Sequence, residues 1–167
     1  MKALDQIVAD LQGRPDRYFR PATRRPILPP GFRLPTDLAA FYERFSEAAL
    51  FIDDGGAARC RIQPPEGFVQ VGQVILGHPT LTGVERSWFA VFDVREGDYV
   101  AIDLLPERLG RCYDCFHETY GKPGYCKVIS LSFTDLLNHL AEAVGRAFWL
   151  DRAFRGYGDA YKSDTRV

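Results

Sequence analysis

Between residues 50 and 131 the chain breaks into short β-rich runs, 50–52, 58–62, 68–76, 87–94, 98–104, 111–117 and 126–131, separated by glycine and proline clusters. Runs of this length and composition read as strands joined by turns. The clearest hairpin joins 88–94 to 99–104 through Arg95-Glu96-Gly97-Asp98, where Gly97 can supply the positive φ that a tight turn requires. The pattern predicts a predominantly antiparallel sheet of about six strands. A chain of 167 residues has room for one compact domain.

Helical signals flank the strand-rich region. Leu4, Ile7, Val8 and Leu11 recur at helical spacing before Gly13 and Pro15. A second helix is predicted from Thr36, with Thr36 as cap, Asp37 at the positive end of the helix dipole, and Leu38, Phe41, Tyr42 and Phe45 as one apolar stripe. A third is predicted after Ser132-Phe133-Thr134-Asp135, a capping-box-like sequence with aspartate in place of glutamate. Its apolar face runs Phe133, Leu136, Leu137, Leu140, Ala141, Val144 and Phe148. Helices packed at the N- and C-terminal ends of the chain against an antiparallel sheet make an α+β domain. We divide it into an N-terminal helix and arm over 1–33, a core over 34–150 and a polar tail over 151–167, which is expected to fray near its end. The stretch 14–35 holds six of the eleven prolines, interleaved with six arginines, and is predicted to wrap the body in extended conformation.

Composition narrows the function classes. With 46% hydrophobic and 26% charged residues the chain is too apolar for disorder. A net charge of −1 argues against nucleic acid as the main ligand. The total hides a segregation: residues 1–35 carry 7 basic and 3 acidic groups, 36–107 carry 5 and 12, and 108–167 carry 9 and 7. An acidic middle can steer a basic protein partner, or it can be a scatter of carboxylates over a solvated face. No apolar run resembles a signal peptide or a membrane span, so a cytoplasmic location is expected, with no membrane partner and with reduced thiols.

Motifs for chemistry are sparse. Cys112, Cys115, His117 and Cys126 are a possible zinc set, but strand alternation over 111–117 would send Cys112 and Cys115 to opposite faces. We therefore read the cysteines as small buried residues, with zinc as the alternative and no cofactor expected. Asp93, Asp98 and Asp103 flank the hairpin with Glu96 in its turn; only Asp103, inside an apolar strand, demands a partner. His78, His117 and His139 have no evident nucleophile beside them, and phosphate-binding glycine patterns are missing. No enzyme is expected.

Four passages together carry a resemblance: Leu34-Pro35-x-Asp37-Leu38-x-x-Phe41-Tyr42; Trp88-Phe89-Ala90-Val91-Phe92 followed by Gly97-Asp98-Tyr99-Val100-Ala101-Ile102-Asp103; Gly110-Arg111-Cys112-Tyr113 reaching His117-Glu118-Thr119; and Ile129-Ser130-Leu131-Ser132-Phe133-x-x-Leu136-Leu137. In order and spacing they resemble the SUKH superfamily, which includes the yeast cell-wall assembly regulators of the Smi/Knr type and many bacterial toxin-immunity proteins. The match covers about two-thirds of the chain, from Leu34 to Gly145. The chain departs from the family in having Phe45-Ser46-Glu47-Ala48-Ala49 in place of an Asn-Gly turn, and in its longer arm. The resemblance implies a non-catalytic binding module that neutralises a cognate toxin, or a regulatory scaffold, acting as a monomer or weak dimer. The expected contacts are Asp53, Asp54, Glu66, Asp93, Glu96 and Asp98, with Trp88 or Trp149 as aromatic anchors if exposed.

Overall fold

The computed structural model describes residues 1–94 and 97–162, so Glu96 lies outside the described residues. Seven strands form one antiparallel sheet in chain order: β1 (Arg17–Pro21), β2 (Phe45–Ile52), β3 (Ala58–Ile62), β4 (Trp88–Asp93), β5 (Tyr99–Asp103), β6 (Cys112–Cys115) and β7 (Val128–Ser130). Four helices accompany them: α1 (Leu4–Gln12), α2 (Thr36–Arg44), α3 (Val71–Ile75) and α4 (Phe133–Glu142). The α+β class holds, with one strand more than expected.

Three segments differ from the sequence reading. The arm contributes an edge strand, β1, paired along its length with β2. Strand β2 starts at Phe45 directly after α2: Ser46, Glu47, Ala48 and Ala49 are buried, with β1 alongside Glu47 to Ala49 and β3 joining on the other side from Ala48. Neighbouring strands supply the pairing that their weak β propensity does not predict. The run 68–76 is not a strand. It meets β4 at the bridge Gln70–Phe89, with Ala90 N donating to Val69 O at 2.9 Å, beside the stretch of β4 that β3 leaves unpaired, and then turns into α3.

Strand alternation divides the core into two layers. On one face α1, α2 and α4 bury Ile7, Val8, Leu11, Leu38, Phe41, Phe133, Leu136 and Leu140 against Leu50, Ile62, Val91, Val100 and Ile102. On the other, Trp88, Tyr113, Cys115, Cys126 and Val128 are covered by α3, the loop before β7 and the tail. Trp88 and Tyr113 meet with ring centroids 4.5 Å apart, and Tyr161 of the tail packs 5.6 Å from Trp88. The tail is thus packed on the body as far as residue 162, and the end of the chain, where fraying is expected, lies outside the described residues. Tyr157 N donates to Val128 O, Val128 N to Gly158 O and Ala160 N to Cys126 O, all at 2.9 Å, which shields the β7 edge as an added strand would.

Helix ends follow local chemistry. Ser132 Oγ accepts from Asp135 N at 3.0 Å, the expected cap. Thr36 does not cap α2, whose N-cap is Pro35. Asp37 does the capping work, accepting from Leu38 N at 2.9 Å. Helix α4 stops at Glu142, so Val144 leaves the apolar stripe and is half exposed.

Part of the segregated charge is met within the molecule. Arg20 pairs with Glu47, Arg24 with Glu66 and Arg25 with Glu43, so the basic arm is laid along acidic residues of the middle segment. Asp103, fully buried, accepts from Arg108 Nε and the Tyr113 hydroxyl, both at 2.7 Å, and from Leu105 N at 2.9 Å. That is the partner its place in an apolar strand demanded.

Candidate partner-binding surface

The antiparallel succession decides which loops share an end of the sheet. The register pairs Arg17 with Leu50, Ile52 with Ala58, Asp93 with Tyr99, and Tyr99 with Cys115. The α1–β1 link, the β2–β3 turn, the β4–β5 turn and the β6–β7 loop therefore lie at one end of the strands. The β3–β4 and β5–β6 connections lie at the other.

This arrangement gathers Asp53, Asp54, Asp93 and Asp98 at one end. Asp53 shapes its own turn, its Oδ1 accepting from Gly55 N at 3.1 Å and Ala57 N at 2.9 Å. Asp54 is exposed and makes no ion pair or hydrogen bond among the described residues. Asp93 sits opposite Arg61 in the β3–β4 register. Asp98 Oδ1 accepts from His117 N at 3.0 Å and lies 2.8 Å from His117 Nδ1.

The other expected contacts lie elsewhere. Glu66 is at the opposite end of the sheet, exposed and paired with Arg24 at 3.4 Å. Trp88 is 0% exposed beneath Tyr113, Tyr120 and Tyr161, because β4 is a central strand whose second face is roofed by the tail and loops. Trp149 is 2% exposed as well, so neither tryptophan offers an anchor. The lone Trp88 position in a strand gave no hint that the tail would return over it.

A further carboxyl at this end escaped the sequence reading. Asp114 lies in β6 and its carboxyl is pushed up to about 6 by burial, with a hydrogen bond from Trp149 and the Lys127 charge opposing that rise. The signal was an aspartate inside a short strand, the same one that marked Asp103.

The zinc set does not assemble. Cys112 packs in the helix-covered layer and Cys115 and Cys126 in the other, as alternation requires. Burial pushes the Cys60 thiol up to about 12 and the Cys126 thiol up to about 11, and it raises Cys112 and Cys115 further, which disfavours the thiolate that binds metal. His117 is taken by Asp98. Among the described residues no three His, Cys, Asp or Glu side chains group as metal ligands, and no helix is long and apolar enough to cross a membrane.

The chain is 30% identical over 160 residues to the immunity protein YokJ of Bacillus subtilis (strain 168), an alignment covering 95% of this chain and 96% of that protein. No protein-family profile and no solved structure matches it.

Proposed function

Because the chain belongs to the family of the Bacillus subtilis immunity protein YokJ, we propose that it is itself an immunity protein, binding a cognate toxin domain directly and blocking it without a catalytic step of its own. The observation that carries this reading is the end-to-end likeness to a protein of that name. We also place the chain in the SUKH superfamily, on the four passages that carry the resemblance, with which its α+β class agrees.

The contact surface proposed is the carboxylate-bearing end of the sheet, with the exposed Asp54 foremost and Asp53, Asp93 and Asp98 at the same end. Carboxylates gathered at one end present negative charge to a basic surface and accelerate encounter with it. Glu66 lies at the other end of the sheet, on Arg24. The protein would act in the cytoplasm as a monomer or weak dimer.

Co-expression tests the function. A bacterial host expressing the candidate cognate toxin domain is expected to grow only when the chain is present, and the two proteins are expected to co-purify. Growth arrest that the chain fails to relieve would overturn the proposal.

A further inference from the structure

The two edges of the sheet differ. Main-chain bonds from the tail cover the β7 edge, whereas from residue 12 to residue 25, a run that contains β1, no residue is buried. The bonds to β2 fix which way the β1 backbone faces. Ile52 N donates to Asp16 O at 2.9 Å and Ala22 N to Arg44 O at 3.0 Å, and every residue from Arg17 to Arg20 pairs with β2 without a bulge. Alternation along an antiparallel strand then turns the N–H and C=O of Tyr18 and Arg20 toward β2, and those of Arg17 and Phe19 away from it. Pro21 falls in the outward set, where its missing N–H breaks no ladder bond. The main chain at Arg17 is open to solvent, since the residue is only half-buried while its side chain is 2% exposed.

An unpaired edge is a template for another strand, and proteins commonly guard such edges with charged side chains. On β1 the charges are already neutralised. Arg17 pairs with Asp16 and lies 3.6 Å from the centroid of the Phe51 ring, and Arg20 pairs with the buried Glu47 at 3.0 Å. The stretch Asp16-Arg17-Tyr18-Phe19-Arg20 is moreover its own complement about Tyr18, with an acid two residues before it and a base two residues after it. In an antiparallel pair of two such stretches centred on Tyr18, Arg17 faces Phe19 of the other strand and Asp16 faces Arg20. Every outward N–H then meets an outward carbonyl. The two Tyr18 rings, each residue 49% exposed, meet across the centre. The partly exposed Asp16 carboxylate keeps lone pairs for the exposed Arg20 of the other copy. Aromatic pairs and opposite charges at directly opposed positions stabilise an antiparallel ladder, and Pro21 lies beyond the last pair.

We propose that β1 is a self-association edge: it pairs antiparallel with β1 of a second copy of this chain about a two-fold axis at Tyr18, joining two seven-stranded sheets into one. The interface is isologous, the same strand serving both copies. Because the paired strands run antiparallel, the carboxylate-bearing ends of the two copies point in opposite directions, each free to meet a partner of its own. A single strand pairing buries less surface than a stable dimer needs, so the association is weak, with a Kd of about 0.1–1 mM. The pairing does not depend on the immunity reading.

Sedimentation equilibrium of the full chain between about 10 μM and about 1 mM is expected to show a concentration-dependent dimer. The variants Y18K and Y18E, at an exposed position, are each expected to weaken it about fivefold or more, since like charges then face each other across the axis. An equimolar mixture of the two variants is expected to associate at least as tightly as the parent, because lysine then faces glutamate. In amide NMR spectra of the parent chain, Arg17 and Phe19 are expected to shift and to gain protection from exchange as concentration rises, while Tyr18 and Arg20, already bonded to β2, keep theirs. A chain that stays monomeric throughout, variants that dimerise as the parent does, or a mixture that recovers nothing would overturn the proposal. Arg17 and Phe19 amides that respond to a toxin domain and not to concentration would make the toxin the occupant of the edge, and would overturn it too.

Discussion

The carboxylate of Asp37, in the first turn of α2, accepts hydrogen bonds from both the backbone N–H and the hydroxyl of Thr134, in the first turn of α4, at 2.8 and 3.0 Å. Two helices separated by 97 residues in sequence thus begin at one side chain. Beneath this contact Phe41 and Phe133 meet edge to face, 5.5 Å between centroids. Both helices lie on the same face of the sheet, so the carboxylate fixes their relative placement over the main core.

Replacing Asp37 removes the acceptor from three donors, two on α4 and Leu38 N on its own helix. D37A is expected to lower stability by about 2–3 kcal/mol and T134V, which loses only the hydroxyl bond, by about 1 kcal/mol. Urea unfolding monitored by circular dichroism checks this, and equal losses for the two variants would contradict it.

The four cysteines are free and buried. Burial holds Cys60 at about 12 and Cys126 at about 11, so at pH 8 the native thiolate population is very small. An aromatic disulfide reagent is expected to titrate none of the four in the native state and all four after unfolding in guanidinium. A fast native phase at any of them would count against the packing described for both layers.

Asp114 makes stability depend on pH. Its carboxyl stands near 6 in the fold against an ordinary value of 3.8, so the folded state binds the proton more tightly than the unfolded one. The stabilising protonated form is fully present below pH 3.8 and is lost as pH rises through 6. D114N, which stays neutral, is therefore expected to gain about 2 kcal/mol over the parent at pH 7.5 and nothing below pH 4. Unfolding midpoints measured across that range give the answer; a constant offset at every pH would assign the effect to something other than titration.

The arm contacts yield a contrast in rates. Glu66 is already paired with Arg24 and lies away from the proposed contact end, whereas Asp54 is unpaired among the described residues. Association with a basic toxin domain is expected to slow several-fold in D54K at low salt, with a weaker salt dependence, and to be unchanged in E66K. Stopped-flow rates at two ionic strengths distinguish the variants.

What was legible in the chain was local. The Ser132 cap, the positive φ of Gly97 (85°) in the β4–β5 turn, and the opposite facing of Cys112 and Cys115 follow from neighbours within a few residues, and each is present. What was illegible depends on distant segments. Strand β1 exists because β2 offers it an edge, and β2 reads as a strand from Phe45 only when both flanking strands are in place. The Val-rich run after Phe68 bridges β4 only at Gln70–Phe89 before it turns into α3, a division that its residues do not announce. Charge was misread for the same reason: Glu43, Glu47 and Glu66 counted toward an acidic middle, but Arg25, Arg20 and Arg24 fold back onto them. The place of Arg17 was invisible because an arginine in a proline-rich arm gives no sign that it will be buried on a phenylalanine ring.

The central claim, direct neutralisation of a toxin domain, is tested most sharply by titrating the purified chain into that domain while its activity is assayed. The account predicts that activity falls linearly and vanishes near one equivalent, with a stable complex on gel filtration. Activity that persists in the presence of excess chain would contradict it.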